Sequence, residues 1–431
     1  MAGLFDAVCL AKRSLMAQQW AMTTSAHNVA NVNTPGYTRQ KAMLESFNPA
    51  LEIPAGLLGM GVDVGEITRM RNRYLDRQVL AEKQNQGFLY FENTALAQVE
   101  TILGETSGYG ISGILDEFWA GWSDLSNDPE NSSVRVALQQ KGEQLTQSLN
   151  DLHVDLTNQQ KELNQQLSGF VGQVNQLTSQ IASLNNDIAN QVNQGMMPND
   201  LMDQRDLLVD ELSTLANITV QDETNGSVSV WLGGNILVYD DSAQQMTLKE
   251  LPGSEGKLNG IVWAGNNSEV NVQSGQIGAL LLVRDEVIPE LIAGLDEFAV
   301  SLATQVNAIH QTGYGLDGST GVDFFNANTT GAADIALSLE VSQDEGKIAA
   351  SADGSAGNGE IALSIFNLQN ELLMSGETDT LNGYYASLAA DVGALKQTAE
   401  NELFQSEVSL AQLENWKASA EGVSLDEEMA N

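Results

Sequence analysis

Apolar residues recur at helical spacing over much of the chain, and the first such run covers residues 4–32. They follow one another at alternating three- and four-residue steps, which predicts an amphipathic helix. The members of this apolar seam are Leu4, Val8, Ala11, Leu15, Met22, Ala26 and Val29. A Thr-Pro-Gly turn follows, and we expect the helix to end there because proline disfavours helix at the residue before it.

The longest apolar repeat follows a heptad grid from Leu138 to Ile188. It predicts one continuous helix of about 60 residues, about 90 Å long at 1.5 Å per residue. Asp128 is the expected cap of this helix, with Pro129 in its first turn. Glycine and proline at 195–198 are expected to end it.

The period of the pattern changes at Ile218, where apolar and polar residues begin to alternate. Alternation is typical of β-strands with one buried face. Asn225 and Gly226 are expected to form a two-residue hairpin turn within this region. The helical period returns at Ile277, and a Gly/Ala/Ser/Asp-rich stretch at 313–359 is expected to be a loop with little regular structure.

These patterns predict a mainly α protein with an inserted β domain. The helices are expected to form a long antiparallel bundle or coiled coil built from both the N- and C-terminal parts of the chain. The expected divisions are 1–40 for the first helix and its corner, 41–217 with 276–420 for the helical body, 218–275 for one small β domain, and 421–431 for the start of a C-terminal segment.

Charge is distributed unevenly along the chain, which carries 19 basic and 57 acidic residues and a net charge of −38. Residues 1–83 hold 9 basic and 7 acidic residues, a net of +2, and the remainder holds 10 and 50, a net of −40. Such an acidic surface repels phosphate and anionic lipid, so we expect no nucleic-acid and no membrane partner. Charge repulsion opposes self-association least at residues 1–83, where the net charge is close to zero.

Motifs for catalysis or metal binding are weak in this sequence. The glycines of residues 108–113 fit a dinucleotide-binding pattern, but a helix and not a strand precedes them. His27, His153 and His310 are far apart on predicted helices, so packed or exposed histidines are expected rather than metal ligands. Cys9 is the single cysteine and is expected to be buried. We therefore expect no enzyme activity, no cofactor and no metal.

On energetic grounds the first helix is not expected to be stable by itself. Ordering about 30 residues costs about 30–60 kcal/mol of backbone entropy. Burial of its apolar seam returns only about 15–25 kcal/mol. The helix therefore needs partners, either from this chain or from neighbouring molecules.

The stretch "SAHNVANVNTPGYTRQ" at residues 25–40 resembles the N-terminal signature of the flagellar axial proteins of the rod, the hook and the hook-associated set. Further stretches at 57–75, 125–145, 198–213 and 421–431 are similar to one branch, the hook-associated protein 1 family. By this resemblance the corner that follows the first helix is carried by Asn28, Asn31, Thr34, Pro35, Gly36 and Tyr37. The inner-tube seam is carried by Leu4, Val8, Leu15, Met22 and Val29.

The resemblance implies a structural adaptor ring between hook and filament, exported through the flagellar type III channel without a cleaved signal peptide. The implied partners are the hook protein, the second junction protein (hook-associated protein 3), copies of the chain in a ring, and an export chaperone for the C-terminal segment. The family continues past residues 421–431 into a long helix, so we interpret that stretch as the truncated start of an axial segment. The alternatives are a sibling axial protein (hook, distal rod or flagellin-like) and an axial scaffold with peptidoglycan hydrolase activity.

The charge distribution generates a prediction about solubility. Because the body is self-repelling at neutral pH, solubility should fall as the pH approaches the isoelectric point of about 4.1. Turbidity and sedimentation measured from pH 7 to pH 4.5 test this. Unchanged solubility over that range would mean that the acidic residues are already neutralised by pairing.

Overall fold

Helices from both ends of the chain pack together in the computed structural model, which describes residues 4–47, 51–53, 56–58, 61–104, 110–252 and 258–430. The helices are α1 Leu4–Ala30, α2 Arg73–Leu103, α3 Ile111–Asn127, α4 Ser132–Val192, α5 Asn199–Leu215, α6 Gly275–Leu282, α7 Ile288–His310, α8 Leu339–Gln343, α9 Glu360–Asn367, α10 Leu381–Glu421 and α11 Leu425–Ala430. The strands are β1 Gln40–Ser46, β2 Leu51–Ile53, β3 Gly56–Leu58, β4 Val62–Arg69, β5 Ile218–Asp222, β6 Val228–Leu232, β7 Asn235–Tyr239, β8 Ser242–Ala243, β9 Met246–Glu250 and β10 Asn259–Trp263. The predicted fold class is confirmed.

The heptad repeat forms the single helix α4, which is 61 residues long. Its cap differs from the expected one: Asn131 accepts a hydrogen bond from the backbone N–H of Ser133, whereas Asp128 ends the preceding helix α3. Pro129 lies in the turn between the two helices and not inside α4. Pro129 disfavours helical conformation at Asp128, so α3 ends there and a short turn precedes α4.

The N- and C-terminal parts of the chain meet where α2 and α10 pack side by side. An ion pair of 2.8 Å joins Lys417 near the end of α10 to Asp76 near the start of α2. At the other end of the pair, Lys396 lies 3.3 Å from Glu100. The two helices are therefore antiparallel.

The strands form small antiparallel sheets. β5 to β8 form a four-stranded sheet in sequence order, while β9 pairs with β10, β1 with β4, and β2 with β3. The expected two-residue turn is wrong, because Asp222 pairs with Val228 across a five-residue connection. In that connection Asn225 accepts the backbone N–H of Ser227, and Gly226 has a φ of 82°.

Asparagines of α4 attach these strands to the long helix. Asn185 donates to the backbone carbonyl of Val228 at 2.8 Å and accepts its N–H at 3.0 Å. Asn175 makes the same pair of bonds to Met246, each of 2.8 Å. A carboxamide carries one donor group and one acceptor, as a peptide group does, so it can pair with an exposed strand edge.

The glycine-rich stretch at 313–359 is irregular but tightly packed, so the expectation of a loop with little structure is only partly right. Phe324 and Phe325 are buried, and Asn307 of α7 accepts both of their backbone N–H groups at 2.9 Å. His310 accepts the N–H of Ala349 and is buried, which lowers its pKa to about 4. As expected for a packed histidine, His310 is buried and hydrogen-bonded within the fold.

The burial pattern of α4 generates a stability prediction. Leu156 is fully buried, whereas Val154, two residues away on the same helix, is exposed. Leu156→Ala should lower the free energy of unfolding by about 2–5 kcal/mol because it leaves a cavity. Val154→Ala is the matched control and should change it by less than about 0.5 kcal/mol. Equal effects in urea unfolding would contradict the packing described here.

Candidate assembly site: the asparagine corner and the first helix

The corner after α1 is folded around the side chain of Asn28, which is buried. Its carboxamide donates to the carbonyl of Gln40 at 2.9 Å and accepts the N–H of the same residue at 3.0 Å. It also accepts a hydrogen bond from the hydroxyl of Tyr37 at 2.8 Å. Burial, followed by the nearby carboxylates of Asp200 and Asp203, raises the pKa of Tyr37 above its ordinary value, so the phenol remains a donor.

The turn itself satisfies the last carbonyls of α1. The Asn31 carboxamide donates to the carbonyl of His27 at 3.0 Å and accepts the Thr34 hydroxyl at 3.1 Å. Gly36, after Pro35, has a φ of 75°, a left-handed conformation that glycine adopts without strain. Asn28 in the last turn of α1 and the other five residues expected at the corner therefore lie close together, joined by hydrogen bonds.

Helix α5 fixes the corner to the body through its acidic residues. Asp203 accepts the backbone N–H of Thr38 at 2.9 Å and lies 2.8 Å from the guanidinium of Arg69. Arg69 also lies 2.7 Å from Asp206. Asn199 and Asp200 lie inside the first turn of α5 and do not cap it. Their side chains bind Gln40 instead.

Asp206 is the centre of this ionic cluster. It pairs with Arg69, Arg71 and Arg205. Burial by itself would raise the pKa of Asp206, but the three guanidinium groups outweigh it and lower the pKa to about 2. The carboxylate is therefore charged at neutral pH and holds β4, the start of α2 and α5 together.

The C-terminal segment contacts the same corner. The backbone N–H of Arg39 donates to the carbonyl of Glu421 at 2.9 Å. The Arg39 guanidinium lies 2.6 Å from Glu428, which is buried, and 2.8 Å from Glu427. Residues almost 390 positions apart in sequence thus form one ionic contact.

The apolar seam of α1 faces away from the rest of the chain. Val8, Leu15 and Met22 are 60%, 71% and 67% exposed, and Val29 is half-buried. The side chain of Leu4 lies outside the described residues. The seam from Val8 to Met22 is therefore left uncovered by the described residues.

The face of α1 that does pack is small and polar, with Ala17, Thr24 and Asn28 buried against the described strands β1 and β4. The expected burial of Cys9 is wrong, since this residue is exposed. The reason is that a two-stranded hairpin covers only a narrow strip of a helix.

Sequence reasoning missed the ionic residues at this site. Arg69, Asp203, Asp206 and Glu428 all lie in stretches that carry the family resemblance, but acidic residues are so frequent in this chain that none stood out. The sequence feature that could have revealed them is the concentration of arginines at 69–77, near the corner, in an otherwise acidic protein. The described residues contain no cluster of three or more His, Cys, Asp or Glu side chains suited to a metal ion.

Comparison with known proteins decides the family. Residues 96–325 match the family described as flagellar hook-associated protein FlgK helical domain, and residues 11–38 match the flagella basal body rod protein family. The chain is 32% identical to flagellar hook-associated protein 1 of Bacillus subtilis (strain 168), over 100% of this chain and 93% of that protein. The chain belongs to the flagellar hook-associated protein 1 family.

Other members of the hook-associated protein 1 family support this conclusion. The protein of that name from Escherichia coli (strain K12) is 24% identical over 98% of this chain and 93% of its own length. The structure of the flagellar hook junction protein FlgK from Burkholderia pseudomallei has the same fold, with a TM-score of 0.71 and 18% identity over 80% of this chain and 100% of that one.

Membership in the hook-associated protein 1 family defines the function in outline. The chain is a structural protein of the hook–filament junction, located in the flagellum, and not an enzyme. The alternatives of a hook, rod or flagellin-like protein and of a hydrolase scaffold are therefore set aside. Across the described part of the chain, no helix has the length and apolar character needed to cross a membrane.

The ionic cluster generates a prediction with a defined pH dependence. Asp206→Asn should lower the free energy of unfolding at pH 7 by about 2–3 kcal/mol, because the lowered pKa of Asp206 measures how much its charge stabilises the fold. That contribution is complete above the unfolded-state pKa near 4 and is lost as the pH falls towards about 2.

The matched control for this prediction is Glu211→Gln, because Glu211 is an exposed acid on the same helix α5. Its effect in urea unfolding should be within about 0.5 kcal/mol. A destabilisation by Asp206→Asn that is as large at pH 2.5 as at pH 7 would show that packing, and not charge, is responsible.

Proposed function

We propose that the chain forms the adaptor ring between hook and filament, outside the cell after export without a cleaved signal peptide. Its proposed neighbours are the hook protein on one side, hook-associated protein 3 on the other, and further copies of the chain within the ring. An export chaperone is proposed to bind the C-terminal segment. The observation that carries this proposal is the exposed apolar seam of α1.

The seam supports an assembly role because the packing of α1 is the reverse of that in an ordinary amphipathic helix. Globular proteins bury the apolar stripe of a helix and expose the polar face. Here Ala17, Thr24 and Asn28 are buried, while Leu15 and Met22 are exposed. Burial of one such large side chain in a neighbour contributes about 1.5–3 kcal/mol, so the whole seam can offset a large part of the entropy lost on association.

The corner supports the same role by setting the direction in which α1 leaves the body. Asn28 binds the backbone of Gln40, and Asp203 binds Thr38, so the chain cannot swing freely after the helix. A fixed exit angle would let identical subunits present their seams in the same orientation. Ring formation requires that regularity.

The proposal is tested by placing a charge in the seam. Leu15→Glu should fold like the original chain but fail to attach filaments, since a carboxylate cannot be buried unpaired in a helix interface. Attachment is measured by electron microscopy of hooks and by flagellin released into the medium. Circular dichroism and the urea midpoint of the purified variant report on folding.

Thr23→Glu is the matched control, because Thr23 is exposed on the same helix and lies about 90° around it from the seam at 100° per residue. It adds the same charge and should leave filaments attached. Normal filaments with Leu15→Glu would refute the proposed role of the seam, whereas loss of folding in that variant would show that the seam is needed within the monomer.

A further inference from the structure

A closed circuit of polar contacts surrounds the corner that follows α1. The members of this corner circuit are His27 and Asn28 of α1, Tyr37 of the turn, Gln40 of β1 and Asp200 of α5. The hydroxyl of Tyr37 lies 3.0 Å from Nδ1 of His27 and donates to Asn28 at 2.8 Å. Asn28 pairs with the backbone of Gln40, whose side chain donates to Oδ1 of Asp200 at 2.8 Å. The circuit closes where Oδ2 of Asp200 lies 3.6 Å from Nε2 of His27.

The backbone of Gln40 determines where the protons of the corner circuit lie. Its N–H bonds to the oxygen of the Asn28 carboxamide and its carbonyl to the nitrogen, which fixes the orientation of that amide. The Tyr37 hydroxyl has one proton and donates it to the Asn28 oxygen. Tyr37 can therefore only accept a hydrogen bond from Nδ1 of His27, and the proton in that bond belongs to His27.

A proton on Nδ1 decides what His27 presents to Asp200. In a neutral imidazole one nitrogen is a donor and the other an acceptor, so Nε2 would turn its lone pair towards the carboxylate of Asp200. In a protonated imidazole both nitrogens are donors, and Nε2 forms an ion pair with Asp200. Every contact of the corner circuit is therefore favourable only when His27 carries a positive charge.

The surroundings of His27 allow this change of charge. Its side chain is 41% exposed, so the ring can exchange protons with water. Arg39 and Arg69 at the corner already lie within 2.8 Å of carboxylates. The carboxylates near the circuit are those of Asp200 and Asp203 on α5 and of Glu427 and Glu428 on α11. Histidine is the side chain whose charge ordinarily changes between pH 5 and pH 8, so His27 is the member of the circuit suited to respond to pH in that range.

We infer that protonated His27 is a positioning residue, which ties α1 to α5 and thereby holds α1 in a fixed direction relative to the body. The inference rests on the proposed assembly role of α1 and deepens it by naming a residue that sets the exit direction. The ion pair is present at low pH and is lost as the pH rises and His27 loses its proton. Because the pair is exposed, its effect is modest, and we expect the corner to open about two to five times less often at pH 5.5 than at pH 8.

Hydrogen exchange of the purified full chain at pH 5.5 and pH 8 tests this inference, with rates corrected for the intrinsic effect of pH on exchange. Peptides that cover residues 25–40 report on the corner, and peptides from α4 report on the body. His27→Gln keeps a donor for Tyr37 but never carries a charge, so the corner should lose its additional protection at pH 5.5 and resemble the original chain at pH 8. Asp200→Asn keeps an oxygen for Gln40 and should have the same effect. Circular dichroism reports on the folding of each variant.

His153→Gln is the matched control, because His153 lies on α4 and is not a member of the corner circuit. It should leave the pH dependence of the corner unchanged. Equal corner protection at both pH values in the original chain, or a pH dependence that persists in His27→Gln, would overturn the inference. A loss of protection in His27→Gln that is as large at pH 8 as at pH 5.5 would overturn it as well, because the charge would then play no part.

The exchange measurements use the free protein, so their outcome is independent of filament attachment. Normal filaments with Leu15→Glu would refute the assembly role and leave the exchange result for His27 intact. Corner protection without pH dependence would refute the positioning role of His27 and leave the assembly role intact.

Discussion

The pairing of asparagine side chains with backbone peptide groups holds this structure together. Asn28 does so at the corner, Asn175 and Asn185 do so between α4 and the strands, and Asn307 binds the backbone of Phe324 and Phe325. A carboxamide has one N–H₂ donor and one C=O acceptor, as a peptide group has a donor and an acceptor. An asparagine on a helix can therefore bond to the N–H and C=O of one residue in the way that a neighbouring strand does. Irregular segments and strand ends are attached to long helices in this way, and their buried backbone groups are hydrogen-bonded.

The ionic cluster on α5 adds a second level of organisation at the corner. Asp203 and Asp206 lie one helical turn apart on the same face, and their partners come from β4 and from the start of α2. Removing one partner from such a buried cluster costs more than the cluster contributes as a whole, because the other charges remain desolvated. Four of the stretches that carry the family resemblance, 25–40, 57–75, 198–213 and 421–431, meet at this cluster and at Arg39, although they are far apart in sequence.

The body and the first helix α1 differ in whether their apolar side chains are buried within the chain. The body buries its heptad leucines within the chain. α1 buries only a small polar strip and exposes Leu15, Met22 and Trp20, the apolar area on which the proposed assembly role rests.

The sequence by itself determined the long helix, the reversal to strands at Ile218 and the end of the first helix at the Thr-Pro-Gly turn. These features depend on periodicity and on proline and glycine, whose effects are local. Tertiary structure alone decided that α1 packs through its small polar face, that Cys9 is exposed and that Asp206 gathers three arginines. Hydrophobic periodicity shows which side chains share a face but not what covers that face. Ion pairs join residues whose distance in space has no relation to their spacing along the chain.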